Sequence, residues 1–504
     1  MRALISVSDK RSLVAFAREL EKLGVEIIAS GGTAEALAKE KVVHRRVEDV
    51  TGQKEMLGGR VKTLHPAIHA GILADRDDAV HLGELEREGF EPIDLVVCNL
   101  YPFESAPSIG LIDIGGPTMV RSAAKNHAHV GVVVDPDDYA VVIDELRREG
   151  ALSAQTRRRL ATAAFSHVAA YDAAIANWLL AEDSNDLPPA VHLALLRRET
   201  LRYGENPHQR AARYESSGQP SWWDGVVQHS GRELSFLNLV DAEAAWTICH
   251  SVVGIGGADK GAVIVKHANP CGVAIGTDAA DAYAKAFAAD EVSAFGGIIA
   301  ISAVVDVTLS EAIVENPLAD VLVAPGFSPA ALALFAAKRK NMRVLEAPSP
   351  ESSQLCFRGF AGGFLIQDRD VVAARGDAWR VVTSRTPTDN EWLDAELAWR
   401  VCASTGSNAI VLAKDGVVVG VGCGQQNRRD AARLAQEKAA GRAEGGAGAS
   451  DAFFPFRDGL DAVCDAGVAV VVEPGGSLRD DEVIAAADER GVALVMTGER
   501  HFRH

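Results

Sequence analysis

The sequence predicts an α/β protein built from more than one domain. At 504 residues the chain exceeds the size at which a single hydrophobic core usually keeps growing. Hydrophobic residues make up 48% of the chain and charged residues 24%, which is the usual balance of a globular enzyme. Short apolar runs of strand length alternate with segments whose apolar residues recur at helical spacing, a pattern typical of α/β layers.

The first part of the chain predicts a parallel sheet. Residues 3–30 have the order strand, helix, strand, because the apolar runs ALISVS and VEIIAS flank the helical segment KRSLVAFARELEKLG. Further strands are predicted at 94–100 and 129–135. A helix is predicted to begin at Pro117, because proline suits the first turn of a helix, and helical sequence continues from about 136 to 198.

A polar stretch, EDSNDLPP, predicts a boundary at 182–189, so we place the two domains at 1–190 and 191–504. The second domain is again α/β but includes an antiparallel hairpin around Asp415-Gly416. Its predicted strands are GAVIVKH (261–267), GGIIAIS (296–302), DVLVAP (320–325) and the hairpin NAIVLAKDGVVVGVG (408–422). The Gly/Ala-rich segment at 439–450 is predicted to be a mobile loop or linker, because such a composition buries little surface.

Composition excludes several classes of function. The formal net charge of −18 disfavours binding to nucleic acid, and no apolar span or N-terminal signal directs the chain to a membrane. The seven cysteines are scattered without a CxxC pair, which argues against a disulfide framework and against structural zinc. We therefore expect a cytoplasmic protein in a reducing compartment.

Three N-terminal segments combine backbone donors with cations and are candidate phosphate contacts: SVSDK (6–10), SGGT (30–33) and GGRVKT (58–63). Taken alone, a Gly-Gly turn between a strand and a helix is common, so SGGT is the weakest of the three. Downstream, NLYPF contributes Tyr101, DIGGPT contributes Asp113 and AAKNH contributes Lys125, each of which could also be an ordinary boundary residue.

These motifs, with ASGGTA and LGGRVKTLHPAIHAGIL, resemble in their order the bifunctional AICAR transformylase/IMP cyclohydrolase family. The resemblance implies a methylglyoxal-synthase-like fold for the first domain and a cyclohydrolase site within it. The implied catalytic residues are Lys62, Tyr101, Asp113 and Lys125, and the implied substrate contacts are Ser8, Lys10, Gly32, Thr33, Arg60 and Thr63. The segment at 102–112 is shorter than the family usually carries, which puts contacts beside that site in doubt.

The residue types fit ring closure. A carboxamide nitrogen attacks a formyl carbon and creates a tetrahedral alkoxide that must then lose water. Cations stabilise such an oxyanion, and a Tyr/Asp/Lys set can move the protons.

In the second domain, LRYGENPHQ (201–209) predicts a shaped loop, and VIVKHANPCG (263–272) places a cation and an imidazole at a strand end. With SAFGG, DVLVAPGFSP, TGSNAI, GCGQQNR, SDAFFPFRDG, PGGSLRDDEVIAAAD and the final RHFRH, these segments resemble the transformylase half of the same family. The resemblance implies two tandem cytidine-deaminase-like subdomains. The HxE and PCxxC zinc signature is absent, so we expect no catalytic zinc.

The predicted reaction transfers a formyl group from the co-substrate 10-formyltetrahydrofolate to the poorly nucleophilic 5-amino group of AICAR, giving FAICAR, which then closes to IMP. His267 is the candidate proton acceptor, and Lys266 and Asn408 are candidates for stabilising the oxyanion, although the choice between His267 and Lys266 stays open. The candidate nucleotide contacts are Arg202, Tyr203, His208, Asp320, Arg428, Arg500 and His504. Phe453 and Asp458 are the candidate folate contacts, and the alternative for FFPF is a core aromatic cluster.

The resemblance also implies a homodimer. Two other functions remain open at this point. The first domain could be a non-catalytic anion sensor, since its fold also serves in regulation, or the chain could be an RNA-binding or scaffold protein. The net charge and the lack of basic stripes disfavour RNA binding.

Overall fold

The computed structural model describes residues 1–181, 186–217, 221–350, 355–376 and 378–504, and these form two units. Unit 1 comprises Met1–Leu196 with Tyr214–Gln219, and unit 2 comprises Arg197–Arg213 with Pro220–His504. The predicted border at residue 190 lies shortly before Leu196, where the first segment of unit 1 ends. Within the described residues, no helix has both the length and the apolar character needed to cross a bilayer.

Unit 1 is built around a parallel five-stranded sheet in the order β3-β2-β1-β4-β5. The strands are β1 (Arg2–Ser6), β2 (Glu26–Ala29), β3 (Arg45–Arg46), β4 (Leu95–Cys98) and β5 (Gly131–Val133). The helices are α1 (Leu13–Lys22), α2 (Gly31–Lys39), α3 (Val47–Thr51), α4 (Pro66–Leu73), α5 (Ala79–Glu88), α6 (Gly115–Lys125), α7 (Tyr139–Glu149) and α8 (Ala154–Ala181). The predicted strands and helices of residues 3–30 are confirmed.

Local sequence explains these elements. In α1 the buried residues Leu13, Phe16, Ala17 and Leu20 recur at helical spacing and face the core. Helix α6 begins at Gly115, two positions before the predicted start, because the Asp113 carboxylate accepts a hydrogen bond from the Gly116 amide at 2.9 Å and so caps the helix earlier. Pro117 then lies in the first turn, where its missing N–H costs nothing.

The prediction of helical sequence up to residue 198 is wrong. Helix α8 ends at Ala181, and residues 195–201 form a strand that pairs with the strand at 211–216. These strands are β6 (Leu195–Leu201) and β7 (Ala211–Ser216). Pro188 and Pro189 prevent a helix from continuing, and β7 provides the hydrogen-bonding partner that local propensity does not anticipate.

Unit 2 contains a continuous twelve-stranded sheet, preceded in the chain by the β6–β7 hairpin. Its first half consists of β8 (Val227–Ser230), α9 (Phe236–Val252), β9 (Lys260–Lys266), β10 (Asn269–Gly276), α10 (Ala279–Ala289), α11 (Glu291–Ala294), β11 (Ile298–Ile301), α12 (Val307–Glu315), β12 (Val321–Ala324), α13 (Pro329–Lys338) and β13 (Arg343–Glu346). A separate hairpin follows, formed by β14 (Leu355–Phe360) and β15 (Gly363–Asp368).

The second half consists of β16 (Arg380–Val381), α14 (Asp389–Ala403), β17 (Ile410–Lys414), β18 (Val417–Gly422), α15 (Arg428–Ala439), β19 (Ala447–Ser450), α16 (Arg457–Cys464), β20 (Val470–Glu473), α17 (Asp480–Glu489) and β21 (Ala493–Met496). The strand order is β16-β21-β20-β19-β17-β18-β10-β9-β11-β12-β13-β8. The strands predicted near 261–267, 296–302, 320–325 and 408–422 are all present, the last as a hairpin.

The two halves of this sheet repeat one topology. In each half a hairpin is followed by three mutually parallel strands, and the two halves join where β10 pairs antiparallel with β18. The sequence repeats as well, since VDAEAAWTIC in α9 corresponds to LDAELAWRVC in α14. Tandem duplication is therefore present, whereas the cytidine-deaminase-like character of the two copies stays a prediction.

The expectation of a mobile loop at 439–450 is wrong for its second half. Residues 447–450 form β19, a fully buried strand between β17 and β20. Its small residues are required by packing, because a Cβ added at Gly448 would lie 2.6 Å from the Cγ1 atom of Val463. Composition alone suggested a linker, but here glycine and alanine allow elements to approach closely.

Close packing of α15 on β18 predicts the effect of a single methyl group. A Cβ at Gly420 would lie 2.2 Å from the Ala435 carbonyl oxygen, so we expect Gly420→Ala to destabilise unit 2 by about 1–3 kcal/mol. Urea unfolding followed by tryptophan fluorescence measures this, and Gly359→Ala, where the added Cβ meets nothing within 4 Å, is the matched control. Equal midpoints for the two variants would contradict the prediction.

Candidate active sites

The candidate site of unit 1 lies at the carboxyl ends of β1, β2 and β4. Strand order β3-β2-β1-β4-β5 reverses its direction of progression between β1 and β4, and ligands of parallel sheets bind in the crevice at such a point. The loops that follow these three strands carry SVSDK, SGGT and NLYPF, respectively. The fold therefore brings together three motifs that are distant in the chain.

Two lysine ammonium groups converge on the start of α2. A Cβ added to Gly31 would lie 2.8 Å from Lys62 Nζ, and one added to Gly32 would lie 3.9 Å from Lys10 Nζ. Gly31 has a φ of 44°, and its lack of a side chain is what lets Lys62 approach the backbone. With the Gly31 and Gly32 amides at the start of the helix, these cations form a cradle suited to a phosphate.

Thr33 and Asn99 hold this cradle in place. The buried Thr33 hydroxyl accepts a hydrogen bond from the Val7 amide at 2.9 Å, so its side chain is engaged by the main chain. Asn99 Oδ1 accepts hydrogen bonds from the Ser8 and Asp9 amides at 2.7 and 2.8 Å. Sequence reasoning missed Asn99, which lies within the strand predicted at 94–100 and directly after the observed strand β4.

Asp113 forms a second polar centre at the start of α6. Burial raises the pKa of the Asp113 carboxyl, and hydrogen bonds from the Gly116 and Gly115 amides oppose that rise. Its amide donates to the Tyr171 hydroxyl at 2.8 Å, and the same hydroxyl donates to the Leu111 carbonyl at 3.0 Å. Buried Thr63 lies close by, with its Oγ1 3.2 Å from a Cβ built on Gly115.

The short segment at 102–112 is anchored to helix α8. Phe103 is buried against Tyr171 and Trp178 of α8, in edge-to-face contacts with ring centroids 6.1 and 5.5 Å apart.

The remaining predicted residues of this site are less enclosed. Tyr101, Arg60 and Lys125 are all exposed. Lys125 ends α6 whereas Asp113 precedes its start, so the two lie at opposite ends of a helix about 15 Å long. The fold brings Lys10, Lys62, Thr63 and Asp113 to the carboxyl edge of the sheet and leaves Lys125 at the far end of α6.

In unit 2 each predicted motif after residue 260 reaches one edge of the twelve-stranded sheet, although DVLVAPGFSP does so only at Asp320 and then runs to the opposite edge. We call this the site edge and define it by the carboxyl ends of β9, β18, β19, β20 and β21 and the amino ends of β10, β11, β12, β13 and β17. Because the copies join by antiparallel pairing, this edge presents the amino ends of parallel strands in the first copy and their carboxyl ends in the second.

His267 occupies a two-residue hairpin turn at the site edge. His267 and Ala268 have φ values of 53° and 58°, the left-handed conformation of a tight turn, and the His267 side chain is exposed. The Ala268 amide donates to Asp241 Oδ1 at 2.7 Å. Asn269 donates to the His267 carbonyl at 3.0 Å and accepts from the Gly406 amide at 2.8 Å.

A chain of contacts continues from this turn through the second copy. Ser407 donates a hydrogen bond to Asp451, and the fully buried Asp451 pairs with Arg428 at 3.2 Å. The Arg428 guanidinium lies 5.6 Å from the ring centre of Phe502. The turn thereby connects with TGSN, SDAFF, GCGQQNR and RHFRH.

The remaining candidate residues of the site edge contact either main-chain carbonyl groups or the ring of Phe502. Asn408 Nδ2 donates to the Gln425 carbonyl at 2.8 Å, and Lys266 Nζ donates to the Phe295 carbonyl at 2.8 Å. Arg500 lies over Phe502, with 4.4 Å to the ring centre, and His504 is 5.6 Å from the same ring.

A basic cluster surrounds Asp320. Arg343, which is buried and donates to the Glu233 carbonyl at 3.0 and 3.2 Å, interacts electrostatically with Asp320, Arg202 and Tyr203. Burial lowers the pKa of Arg343. The sequence did not point to Arg343, because the residues around it are distant in the chain. The predicted nucleotide contact His208 is exposed, in the loop that follows Tyr203.

The predicted folate residues differ in their surroundings. Phe453 is half-buried, whereas Phe454 is fully buried in the core, so the aromatic cluster FFPF combines both interpretations. Asp458 is exposed and lies 3.8 Å from Arg429.

Within the described ranges, the residues Asp75, Asp77 and His129 form one group with the spacing of metal ligands, and this group is not at either site.

Removal of the Asn99 side chain is expected to loosen the phosphate cradle. Asn99→Ala deletes the acceptor of the Ser8 and Asp9 amides, so these amides should exchange with solvent about tenfold faster or more. Hydrogen exchange measured by mass spectrometry checks this. Asn99→Asp keeps an oxygen in the place of Oδ1 that accepts from both amides, although it loses the Nδ2 donor to the Asp9 carbonyl, and it should exchange more slowly than the alanine variant. Equal rates in the two variants would contradict the assignment.

The chain is similar to known proteins over its whole length. A family model described as AICARFT/IMPCHase bienzyme matches residues 123–438, and a model of the MGS-like domain matches residues 12–127. The bifunctional purine biosynthesis protein PurH of Cereibacter sphaeroides (strain ATCC 17025 / ATH 2.4.3) is 48% identical over 525 residues, covering 100% of this chain and 98% of that protein. A solved structure titled crystal structure of ForH is 38% identical and has a TM-score of 0.33, covering 36% of this chain and 98% of that one.

The predicted methylglyoxal-synthase-like first domain and transformylase region are confirmed by these matches. Because the first family model spans more than half of the chain and the PurH relative matches its whole length, the chain belongs to the AICARFT/IMPCHase bienzyme family, the bifunctional AICAR transformylases and IMP cyclohydrolases of purine biosynthesis.

Proposed function

We propose that unit 2 transfers the formyl group of 10-formyltetrahydrofolate to AICAR at the site edge and that unit 1 closes FAICAR to IMP at its phosphate cradle. The observation that carries this assignment is the chain of contacts from the His267 turn through Gly406, Ser407 and Asp451 to Arg428. It joins an exposed imidazole to the segments assigned to nucleotide and folate. A merely structural set of motifs would not need to converge on one edge.

For formyl transfer, the AICAR amine attacks the formyl carbon and loses a proton as the C–N bond forms; the bond from that carbon to folate N10 then breaks, and N10 takes up a proton to give tetrahydrofolate. We assign His267 to take the proton lost by the amine, and this assignment is supported by its exposed ring and by the contacts of its turn with Asp241 and Asn269. Lys266 and Asn408 are assigned to the developing oxyanion. Arg202, Tyr203, His208, Asp320, Arg428, Arg500 and His504 are assigned to the nucleotide, and Phe453 and Asp458 to the folate.

For ring closure, the phosphate of FAICAR is assigned to Lys10, Gly32 and the start of α2. Lys62 approaches the cradle at Gly31, pairs with Glu55 at 3.1 Å and directly precedes Thr63 in the chain, so we assign it to neutralising the alkoxide formed when the carboxamide nitrogen attacks the formyl carbon. Asp113, whose pKa is raised by burial, can exchange the protons that accompany loss of water. Tyr101 and Arg60 are also assigned to this centre, because they lie in the motifs NLYPF and GGRVKT beside it. Lys125 is assigned a smaller contribution to ring closure, because it lies at the far end of α6 from Asp113.

Two single substitutions should separate the two activities. Lys62→Ala should slow conversion of FAICAR to IMP by about 10²–10³-fold and spare release of tetrahydrofolate. His267→Asn should slow tetrahydrofolate release by about 10²–10⁴-fold and spare ring closure, because asparagine tolerates the left-handed turn but cannot act as a base. Both products are followed separately with AICAR and 10-formyltetrahydrofolate as substrates.

Each variant has a control that makes a similar change away from the assigned site. Asp415→Asn changes the corresponding turn of the second copy, where Asp415 has a φ of 51°, and Lys39→Ala removes an exposed lysine at the other end of α2. Both controls should retain both activities. Retained IMP formation in Lys62→Ala would favour an anion-sensing role for unit 1, and absence of both products in the unaltered protein would refute the proposed function.

We also propose that the protein acts as a homodimer in a reducing cytoplasm. Strands β14 and β15 pair only with each other among the described strands, and a two-stranded hairpin is marginally stable alone. It exposes Phe357, Phe360, Phe364 and Leu365, an apolar surface that a second copy would cover. The cysteines are all unpaired among the described residues, which suits a reducing compartment.

Charge placed on this hairpin should weaken the dimer. We expect Phe364→Asp, whose exposed side chain borders Phe357, to raise the dissociation constant at least about tenfold, as measured by sedimentation equilibrium. Val304→Asp introduces the same charge at another exposed apolar position and should leave the association unchanged. A monomeric unaltered protein would contradict the proposal.

A further inference from the structure

The end of β20 carries a buried carboxyl group that the proposed chemistry does not use. Glu473 is fully buried, and its Oε2 accepts a hydrogen bond from the Phe454 amide at 2.8 Å. Its Oε1 is buried without a hydrogen-bond partner. A buried carboxyl group with one partner costs free energy, so its presence calls for a reason beyond packing.

The duplication within unit 2 shows that the fold does not need this carboxyl. VLVAPGFS at 321–328 corresponds to VVVEPGGS at 470–477, since each segment forms the middle parallel strand of its copy and the turn after it. Ala324 therefore occupies the position of Glu473, and it too is fully buried. Ala324 lies at the opposite edge of the sheet, whereas Glu473 lies at the site edge.

Glu473 holds the segment that carries the assigned folate residue. This segment, 451–456, is fixed before Phe453 by the contacts of Asp451 with Arg428 and Ser407. It is fixed after Phe453 by the hydrogen bond from Phe454 to Glu473. The half-buried Phe453 ring is thus held between two anchored neighbours.

The charged groups that act on Glu473 do not neutralise it. Arg428 is already paired with Asp451, and Asp480 adds a negative charge while accepting hydrogen bonds from the Gly476 and Ser477 amides. Burial raises the pKa of Glu473 to about 8, with a smaller opposing effect of the Phe454 hydrogen bond. The neutral acid is consequently the form that fits the interior at neutral pH.

We propose that Glu473 is a positioning residue that, while its carboxyl carries a proton, holds Phe453 in place for the folate through the Phe454 amide. The inference rests on the proposed function in assigning the folate to Phe453. Ionisation places an unpaired charge in the interior and loosens segment 451–456. Because the folded-state pKa is raised, the stabilisation is fully present below the ordinary glutamate value and is lost as pH rises through about 8.

The test compares Glu473→Gln and Glu473→Ala with the unaltered protein. The amide of glutamine is neutral at every pH and keeps an oxygen for the Phe454 N–H. We expect the KM for 10-formyltetrahydrofolate to rise several-fold between pH 7 and 9 in the unaltered protein and to stay flat in Glu473→Gln. Glu473→Ala should show the raised KM at every pH, with kcat changed much less.

Thermal midpoints measured between about pH 5 and 9, which spans the ordinary glutamate value and the raised value of Glu473, form a second readout that needs no activity. The midpoint should fall with pH more steeply in the unaltered protein than in Glu473→Gln. Asp394→Asn is the matched control, since it removes another buried carboxyl, one that binds the Asp415 and Gly416 amides, and it should leave the pH profile of the folate KM unchanged.

A Glu473→Gln variant that keeps the pH dependence of the folate KM and of the midpoint would overturn the proposal, as would an unchanged KM in Glu473→Ala. Absence of formyl transfer in the unaltered protein would instead refute the proposed function, and the thermal midpoints would then decide whether the proton on Glu473 stabilises unit 2.

Discussion

The pairing of β10 with β18 is the contact on which the architecture of unit 2 depends. Val273 lies opposite Val418 and Ala274 opposite Val417, and through this short antiparallel ladder two copies of one topology become a single sheet. Without it, the His267 turn of the first copy and the Gly406–Asn408 segment of the second would belong to separate sheets. The hydrogen bond from the Gly406 amide to Asn269 exists only because the two copies share an edge.

Much of the fold could be predicted from local patterns, and the failures have identifiable causes. Apolar runs located the central strands, because buried parallel strands are continuously hydrophobic. The strand at 195–201 was missed because LLRRETL contains good helix formers and its pairing with β7 is not a local property. The strand AGAS was missed because its alanine and glycine content resembles a linker, whereas the space around Gly448 explains it.

The candidate sites likewise combine residues that local sequence identifies with residues whose partners are distant in the chain. Motifs with paired chemistry, such as Lys266-His267 and Asp113 before a glycine pair, could be recognised because residue type and strand position coincide. Asn99 and Arg343 were missed because their roles lie in partners such as the Ser8 amide and the Glu233 carbonyl, which are far along the chain. The separation of Lys125 from Asp113 could not be read from motif order, since it follows from where α6 begins and ends.

The opposite strand directions at the site edge give that edge an electrical polarity. In the second copy α15, α16 and α17 begin there, so their partially positive amino termini face it. In the first copy α12 and α13 end there, so their partially negative carboxyl termini face it. Helices α9 and α14 have the reverse orientation in their copies, so the excess of amino termini in the second copy and of carboxyl termini in the first makes the electrostatic field uneven along the edge and more favourable to an anionic group beside the second copy.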